Sequence, residues 1–313
     1  MSDYTYNPAL RSPGKWTGID FADPKLRAAI RLMTNELGEK VRAMEPSSGV
    51  KRDERQFISE DGEKISCFVF EPKNGSIRGN MLYCHGGGFF LPIQSMMAEL
   101  ACEFAEKLSI RVYLPEYRIL PDYPNPYPFL DCLSVLSEIL GTDLPYLLYG
   151  ESVGGTLAAG LSIWARDNGK QAAKGQCLIY PVLDNAFGKY QSMRKYSDAA
   201  WPLRNHLTMW TEYLKPGMKL DTAYLVPMKA TDLRFLPAAY IEPQEIDILH
   251  DEAVAYAKRL EADGVCVKLN EISGSYHGFD EDLENPFVKA IVAERIAYME
   301  RMLNAKGNDF NDD

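Results

Sequence analysis

Ser152 has the clearest potential for chemistry in this chain, because of the glycines around it. The stretch Gly150–Gly154 reads Gly-Glu-Ser-Val-Gly and stands between an apolar, strand-like run and a small-residue, helix-like run. This arrangement is typical of a nucleophile elbow, a sharp strand-to-helix turn that presents a serine hydroxyl. Such a turn brings backbone segments too close for side chains, so we expect only glycine to fit at Gly150 and Gly154. The alternative is a plain glycine-rich turn.

A serine hydroxyl needs a base to take its proton, and the four histidines of the chain are the candidates. His277 lies in a glycine-flanked loop after the predicted strand that ends at Ile272. Loops at the carboxyl ends of parallel strands are where catalytic groups collect. His85 begins a different motif, His206 lies in a predicted insertion, and His250 is expected on a solvated helix surface. We therefore predict His277 as the base.

The base in turn needs an anionic partner that holds its tautomer and stabilises the imidazolium. In the chain order Ser, acid, His, Asp247 is a good candidate, because it follows the predicted strand 238–242 through a short loop. Its alternative role is that of a helix N-cap. By position alone, Glu245, Asp251 and Glu252 remain rivals.

A glycine-rich stretch could hold the negative oxygen of the transition state. Residues 85–89 read His-Gly-Gly-Gly-Phe and follow a predicted strand. Consecutive glycines allow backbone amides to face inward, so we predict the amides of Gly86, Gly87 and Val153 as oxyanion donors. The alternatives are a flexible turn or a phosphate loop, but the Gly-Lys-Ser/Thr ending of a Walker loop is absent.

The elements that must position these residues alternate between strands and helices. Strand-like segments are predicted at residues 55–59, 65–70, 80–84, 110–115, 146–150, 176–181, 236–242 and 265–272. Helical segments are predicted at residues 94–108, 129–140, 153–168, 248–262 and 286–303. The first two strands flank the hairpin signal Asp61-Gly62. The alternation predicts an α/β fold with a mostly parallel central sheet, helices on both faces and an antiparallel start.

Two segments fall outside this alternation and predict a helical cap. An amphipathic helix at residues 24–44, with Asp23-Pro24 as its start signal, precedes the first strand. A long insertion after a strand lies at the face where α/β enzymes bind ligands. We therefore predict four segments: an N-terminal helical cap segment at 1–50, the first part of the core at 51–184, a cap insertion at 185–230, and the second part of the core at 231–313. The alternative for the insertion is a helical excursion that contacts no ligand.

Composition excludes several classes of function. The chain has 313 residues, 46% of them hydrophobic, which is enough for a core without disulfide or metal staples. A formal net charge of -10 argues against nucleic acid or an anionic membrane surface as partner. We see no apolar run long enough to span a membrane and no secretory signal. The six cysteines lack CxxC spacing, which favours buried free thiols in the cytoplasm.

Taken together, the motifs resemble those of the hormone-sensitive-lipase-like carboxylesterases, the bacterial family IV esterases of the α/β-hydrolase fold. The resemblance runs from about Met81 to Phe279. It rests on residues 85–89, 116–122, 150–155, 178–184, 247–252 and 277–279. The resemblance implies that Asp247 is the acid of the triad. It also implies a cap built from the N-terminal region and from residues of the 185–230 insertion.

The activity implied is that of a serine carboxylesterase that hydrolyses small or short-acyl esters through an acyl-enzyme intermediate. This mechanism needs no metal or organic cofactor. The chain departs from the family at Glu151, where aspartate is usual, and at Val153, where alanine is usual. We hypothesise that Val153 narrows the pocket and favours small acyl groups. The alternatives are a catalytically weak binding or receptor protein and an amidase with the same triad. A homodimer could form by pairing of an edge strand near residues 265–272.

Overall fold

The computed structural model describes residues 4–13, 20–215 and 220–305. Within these residues, eight strands form one sheet in the order β1-β2-β4-β3-β5-β6-β7-β9, and β8 and β10 form a separate parallel pair. The strands are β1 (Val50–Ile58), β2 (Lys64–Pro72), β3 (Asn80–Cys84), β4 (Arg111–Pro115), β5 (Tyr146–Glu151), β6 (Gly175–Ile179), β7 (Ala239–Glu242), β8 (Gln244–Ile246), β9 (Val267–Leu269) and β10 (Ile272–Tyr276).

The helices begin where the sequence carries start signals. Asp23 caps the first helix by accepting from the Lys25 amide, and Asn285 caps the last one by accepting from the Phe287 amide at 2.9 Å. Proline occupies the next position in both. The helices are α1 (Pro24–Ala43), α2 (Ser95–Leu108), α3 (Tyr127–Leu140), α4 (Val153–Asp167), α5 (Gln191–Lys195), α6 (Leu203–Tyr213), α7 (Thr222–Leu225), α8 (His250–Ala262) and α9 (Pro286–Asn304).

The sheet is parallel from β4 to β9, and β2 runs antiparallel to its two neighbours. Successive side chains of β5 enter cores on opposite faces, with Leu148 in one hydrophobic cluster and Leu147 in the other. Helices α3, α4 and α8 cover the first face, and α2 and α9 cover the second. The central strands are buried on both sides, which explains their continuous apolar runs. The predicted α/β class, with helices on both faces, is confirmed.

The segment after α8 differs from the prediction of one strand at residues 265–272. The chain forms β9, which is the edge of the sheet, and then leaves it to pair as β10 with β8. The sequence of β10, with Gly274 and two serines, is typical of a loop. Tertiary contacts hold it in place, because it pairs with β8 and the Asn7 amide donates to the Gly274 carbonyl at 2.8 Å. His277 therefore follows a strand directly.

Composition led us to expect no membrane-spanning helix and buried free thiols. Among the described residues, no helix has both the length and the apolar character that a membrane span requires. All six cysteines carry free thiols, and five of them are buried while Cys266 is partly exposed. The prediction of buried free thiols is thus confirmed for five positions.

Candidate active site

The backbone at Ser152, between β5 and α4, is strained. Its φ of 55° and ψ of -122° fall in a region that residues with side chains rarely adopt. Hydrogen bonds on both sides maintain this conformation. The Ser152 amide donates to the Ile179 carbonyl at 2.9 Å, and its carbonyl accepts from the amides of Gly155 (3.0 Å) and Val182 (2.9 Å). The turn therefore presents the hydroxyl at the carboxyl end of the sheet.

The glycines of the elbow are required by contact distances. A Cβ atom at Gly150 would lie 2.1 Å from the carbonyl oxygen of Gly154. A Cβ atom at Gly154 would lie 1.9 Å from the carbonyl oxygen of Cys84. Both distances are far below any van der Waals contact with backbone. The prediction that only glycine fits at these two positions is confirmed.

Three side chains that are far apart in sequence meet at the ends of β5, β8 and β10. The Nε2 atom of His277 lies 2.9 Å from Oγ of Ser152. Its Nδ1 atom lies 2.7 Å from Oδ2 of Asp247, whose other oxygen accepts from the Leu249 amide at 3.1 Å. Asp247 is 1% exposed, so its carboxylate is shielded from water. The geometry fits an imidazole that donates from Nδ1 to Asp247 and accepts the hydroxyl hydrogen of Ser152 at Nε2.

The rival acids have other partners. Glu245 and Asp251 accept backbone amide hydrogens from other segments at 2.8 and 2.9 Å. Glu252 is buried and accepts from the amide of Leu183 at 2.7 Å. Among the four acids considered from sequence, Asp247 is the one hydrogen-bonded to the imidazole beside Ser152. Asp247 does not have the N-cap role considered as its alternative: Leu249 is the N-cap of α8, and Asp247 accepts the Leu249 amide hydrogen in the turn before the helix.

The other three histidines have different surroundings. His85 is stacked on Tyr117 with ring centroids 4.0 Å apart, and burial lowers the pKa of its imidazole to about 4. His206 accepts from the indole N–H of Trp210 at 3.2 Å, and burial lowers its pKa to about 3. Both are therefore neutral near pH 7. His250 lies 2.8 Å from each of two carboxylates and is partly buried, rather than solvated as the sequence led us to expect.

The glycine-rich stretch at residues 85–89 lies against the elbow. The Gly86 amide donates to Oε1 of Glu151 at 3.4 Å, so its hydrogen faces that carboxylate. The prediction of Gly86 as an oxyanion donor stays a prediction, and Glu151 competes for its amide hydrogen. Within the described residues, the amides of Gly87 and Gly88 have no protein acceptor. The Val153 amide stands at the first position of α4, where helices leave N–H groups without an intrahelical partner.

A cavity of about 70 Å³ opens beside Ser152 and His277. Phe21 from the N-terminal segment and Trp201 from the 185–230 insertion contribute to its walls. The sequence did not identify these two residues individually, because nothing local marks an aromatic side chain as facing a ligand. Val153 is fully buried and is absent from the described lining of this cavity. The narrowing by Val153 stays a hypothesis, and the aromatic side chains of Phe21 and Trp201 limit the cavity at its walls.

Comparison with known proteins now adds to this geometry. A family model described as alpha/beta hydrolase fold matches residues 81–281. The chain belongs to the alpha/beta hydrolase fold family. The match includes the glycine-rich stretch, the elbow and all three side chains of the Ser152–His277–Asp247 arrangement.

Individual relatives of this hydrolase are named esterases. An ethyl acetate hydrolase from Pseudomonas putida is 30% identical over 267 residues, which cover 78% of this chain and 83% of the relative. An arylesterase from Saccharolobus solfataricus is 28% identical over 271 residues, covering 83% and 86% of the two chains. The solved structure of a bacterial heroin esterase matches with a TM-score of 0.80 and 29% identity, covering 96% of this chain and 99% of that one. The predicted resemblance to hormone-sensitive-lipase-like carboxylesterases is confirmed.

Proposed function

We propose that this protein is a serine carboxylesterase that hydrolyses small, short-acyl esters. The observation that carries the proposal is the continuous hydrogen-bonded series from Ser152 through His277 to Asp247, next to a cavity. The names of its relatives, which include an ethyl acetate hydrolase and an arylesterase, support ester substrates.

The mechanism is acyl transfer in two steps. His277 takes the hydroxyl proton of Ser152 as the oxygen attacks the ester carbonyl, and Asp247 stabilises the imidazolium that forms. The imidazolium then protonates the leaving alcohol, and an acyl-enzyme remains on Ser152. Water, activated by the neutral imidazole, releases the acid and restores the hydroxyl. Each proton transfer passes through Nε2 of His277, which lies 2.9 Å from Oγ of Ser152.

Backbone amides stabilise the oxyanion in this proposal. We assign this role to Gly87 and Val153, with Gly88 as a further donor, because these amides have no acceptor among the described residues and adjoin Ser152 in the chain or across the cavity. Gly86 is omitted because its amide faces Glu151. An amide donor of this kind typically contributes about 3–4 kcal/mol to transition-state stabilisation.

The cap remains part of the proposal, with the boundaries 1–50 and 185–230. Aromatic contacts between the two segments support it. Phe21 lies 5.9 Å from Trp201 between ring centroids, and its amide donates to the side chain of Asn205 at 3.3 Å. Tyr4 contacts Tyr196 with centroids 5.5 Å apart. The two segments thus pack together above the core and enclose one side of the cavity.

We expect a steep preference for short acyl chains in a series of p-nitrophenyl esters. Between butyrate and octanoate, kcat/KM should fall at least about tenfold, because the aromatic walls formed by Phe21 and Trp201 obstruct a longer acyl chain. Steady-state kinetics over the series measures this. A preference for octanoate or longer chains would contradict the short-acyl assignment.

The amidase alternative is tested in the same assay. We expect p-nitrophenyl acetate to be hydrolysed with a far higher kcat/KM than p-nitroacetanilide, which presents the same acyl group on an amide. Comparable values for the two substrates would favour an amidase.

We also propose a cytoplasmic location and a homodimer. Six free thiols fit a reducing compartment. The edge strand β9 pairs with β7 on one side, and no strand of the described residues pairs with its other side, where a second copy could add a strand. Light scattering after size-exclusion chromatography measures the mass, and a monomer at micromolar concentration would contradict the dimer.

A further inference from the structure

Glu151 connects three segments beneath the reacting serine. It precedes Ser152, and it is 2% exposed. Its carboxylate accepts from the hydroxyl of Tyr83 on β3 at 2.9 Å and from the amide of Gly86 at 3.4 Å. The glycine-rich stretch is therefore tied to the elbow through a side chain that the mechanism above does not use.

The peptide bond between Gly86 and Gly87 carries the N–H group of Gly87, which is a proposed oxyanion donor. The Gly86 carbonyl accepts from Nδ1 of His85 at 2.7 Å, while the Gly86 amide donates to Glu151. In a planar trans peptide, the Gly87 N–H points away from the Gly86 carbonyl. The two bonds on Gly86 therefore determine where the Gly87 amide points. Glycine has soft backbone dihedrals, so without these bonds the direction would vary.

Packing reinforces the contact between Gly86 and Glu151. A Cβ atom at Gly86 would lie 3.2 Å from Cγ of Glu151 and 3.3 Å from its carbonyl oxygen. Gly86 therefore lies close to Glu151, with little room for any side chain at residue 86. The length of the Glu151 side chain matters, since aspartate at this position would place the carboxylate one methylene nearer to its own backbone.

We propose that Glu151 is a positioning residue, whose carboxylate holds the Gly86 amide and thereby directs the Gly87 amide toward the oxyanion. This inference rests on the proposed function and deepens it. Glu151 does not touch the substrate in this account, and its effect reaches the reaction only through the backbone of the glycine-rich stretch.

The charge on Glu151 is sensitive to pH near neutrality. Burial, followed by repulsion from Asp280, raises the pKa of its carboxyl to about 7. The titratable and charged groups that face it are Tyr83 on β3, Tyr117 after β4, Tyr149 on β5, Tyr180 after β6, Asp280 at residues 279–281 and Arg295 on α9. Burial raises the pKa of all four tyrosines well above its usual value, so they stay neutral. As pH falls through about 7, Glu151 gains a proton and becomes a weaker acceptor.

An opposing effect makes the test decisive. A carboxylate near the reacting carbonyl repels the oxyanion, so its charge alone would slow the reaction. A neutral side chain of the same shape removes this repulsion and also the charged acceptor for Gly86. The substitution therefore lowers kcat if the positioning of Gly86 dominates, and it raises kcat if repulsion of the oxyanion dominates.

The experiment compares Glu151→Gln with wild type on p-nitrophenyl acetate, from about pH 5 to about pH 9. We expect Glu151→Gln to lower kcat about tenfold at the alkaline end with KM within about twofold, because the oxyanion forms only in the transition state. Affinity for a trifluoromethyl ketone inhibitor, which forms an oxyanion on Ser152, should fall by the same factor. The melting temperature should stay close to that of wild type. The contribution of the Glu151 carboxyl near pH 7 should vanish from the pH profile of kcat/KM.

Two further variants separate charge from structure. Tyr83→Phe keeps the Gly86 contact but removes a donor to the charged carboxylate, so the ionisation of Glu151 should move to higher pH. Glu151→Asp keeps the charge, and we expect it to recover part of the rate lost in Glu151→Gln.

Unchanged or increased kcat in Glu151→Gln would overturn the inference, as would a loss confined to KM or to melting temperature. An unshifted profile in Tyr83→Phe would overturn it independently. If wild type turns over the ester no faster than Ser152→Ala does, both the proposed function and this inference are contradicted. If wild type is active and Glu151→Gln has the same kcat, this inference is contradicted and the proposed function is not.

Discussion

Ser152→Ala is expected to lower kcat for p-nitrophenyl acetate by at least about 10⁴-fold. The reason is that alanine has no oxygen for the acyl-enzyme, while His277 and Asp247 cannot substitute for the missing nucleophile. Residual turnover should come only from substrate binding and the oxyanion donors. Steady-state rates at saturating substrate measure kcat. Intact-mass spectrometry after treatment with a fluorophosphonate should show one adduct on wild type and none on Ser152→Ala.

A matched serine replacement provides the control. Ser134 lies on α3, where its hydroxyl donates to the Asp131 carbonyl at 2.7 Å within the helix. Ser134→Ala should retain wild-type kcat and labelling. Near-background rates that are equal in wild type and Ser152→Ala would favour the alternative of a binding or receptor protein on a catalytically weak scaffold.

Gly154→Ala is expected to lower the free energy of unfolding by at least about 4 kcal/mol, or to prevent folding altogether. The added Cβ would lie 1.9 Å from the carbonyl oxygen of Cys84, and backbone of the central strand β3 cannot move aside cheaply. Relief requires α4 to shift away from β3, which separates packed core residues. Chemical denaturation followed by circular dichroism measures the change where the variant is soluble.

Gly169→Ala is the matched control for this prediction. Gly169 has a left-handed conformation, with φ of 59°, which Gly154 within α4 does not have, but a Cβ there would meet nothing within 4 Å. Its cost should be about 1–2 kcal/mol, that of a left-handed backbone alone. Similar stability losses in the two variants would show that close approach at Gly154 is not the cause.

Prediction from sequence succeeded where the cause is local. The alternation of apolar runs placed β3, β4, β5 and β6 within one or two residues of their observed bounds. Glycines at 150 and 154 identified the elbow because their requirement arises from the turn itself. Spacing also predicted a position near Ser152 for His277, although His277 follows β10, which pairs with β8 outside the main sheet.

Side-chain partners were harder to predict, because they depend on contacts between distant segments. From position alone, Asp247 had three rival acids, and the resemblance to a family was needed to choose it. The structure distinguishes them by one contact of 2.7 Å to His277. The contact between the Gly86 amide and Glu151 was not predicted, since the motif does not reveal that Glu151 reaches across to it.

The sequence by itself determined the fold class, the elbow and the chemistry available at Ser152, because periodicity and glycine spacing act over a few residues. Only the tertiary structure decided which amide meets Glu151, that β10 leaves the sheet, and that Phe21 and Trp201 wall the cavity. The physical reason is that hydrogen bonds and aromatic contacts across long separations depend on packing geometry. That geometry depends on the whole chain, so no single segment of the sequence predicts it.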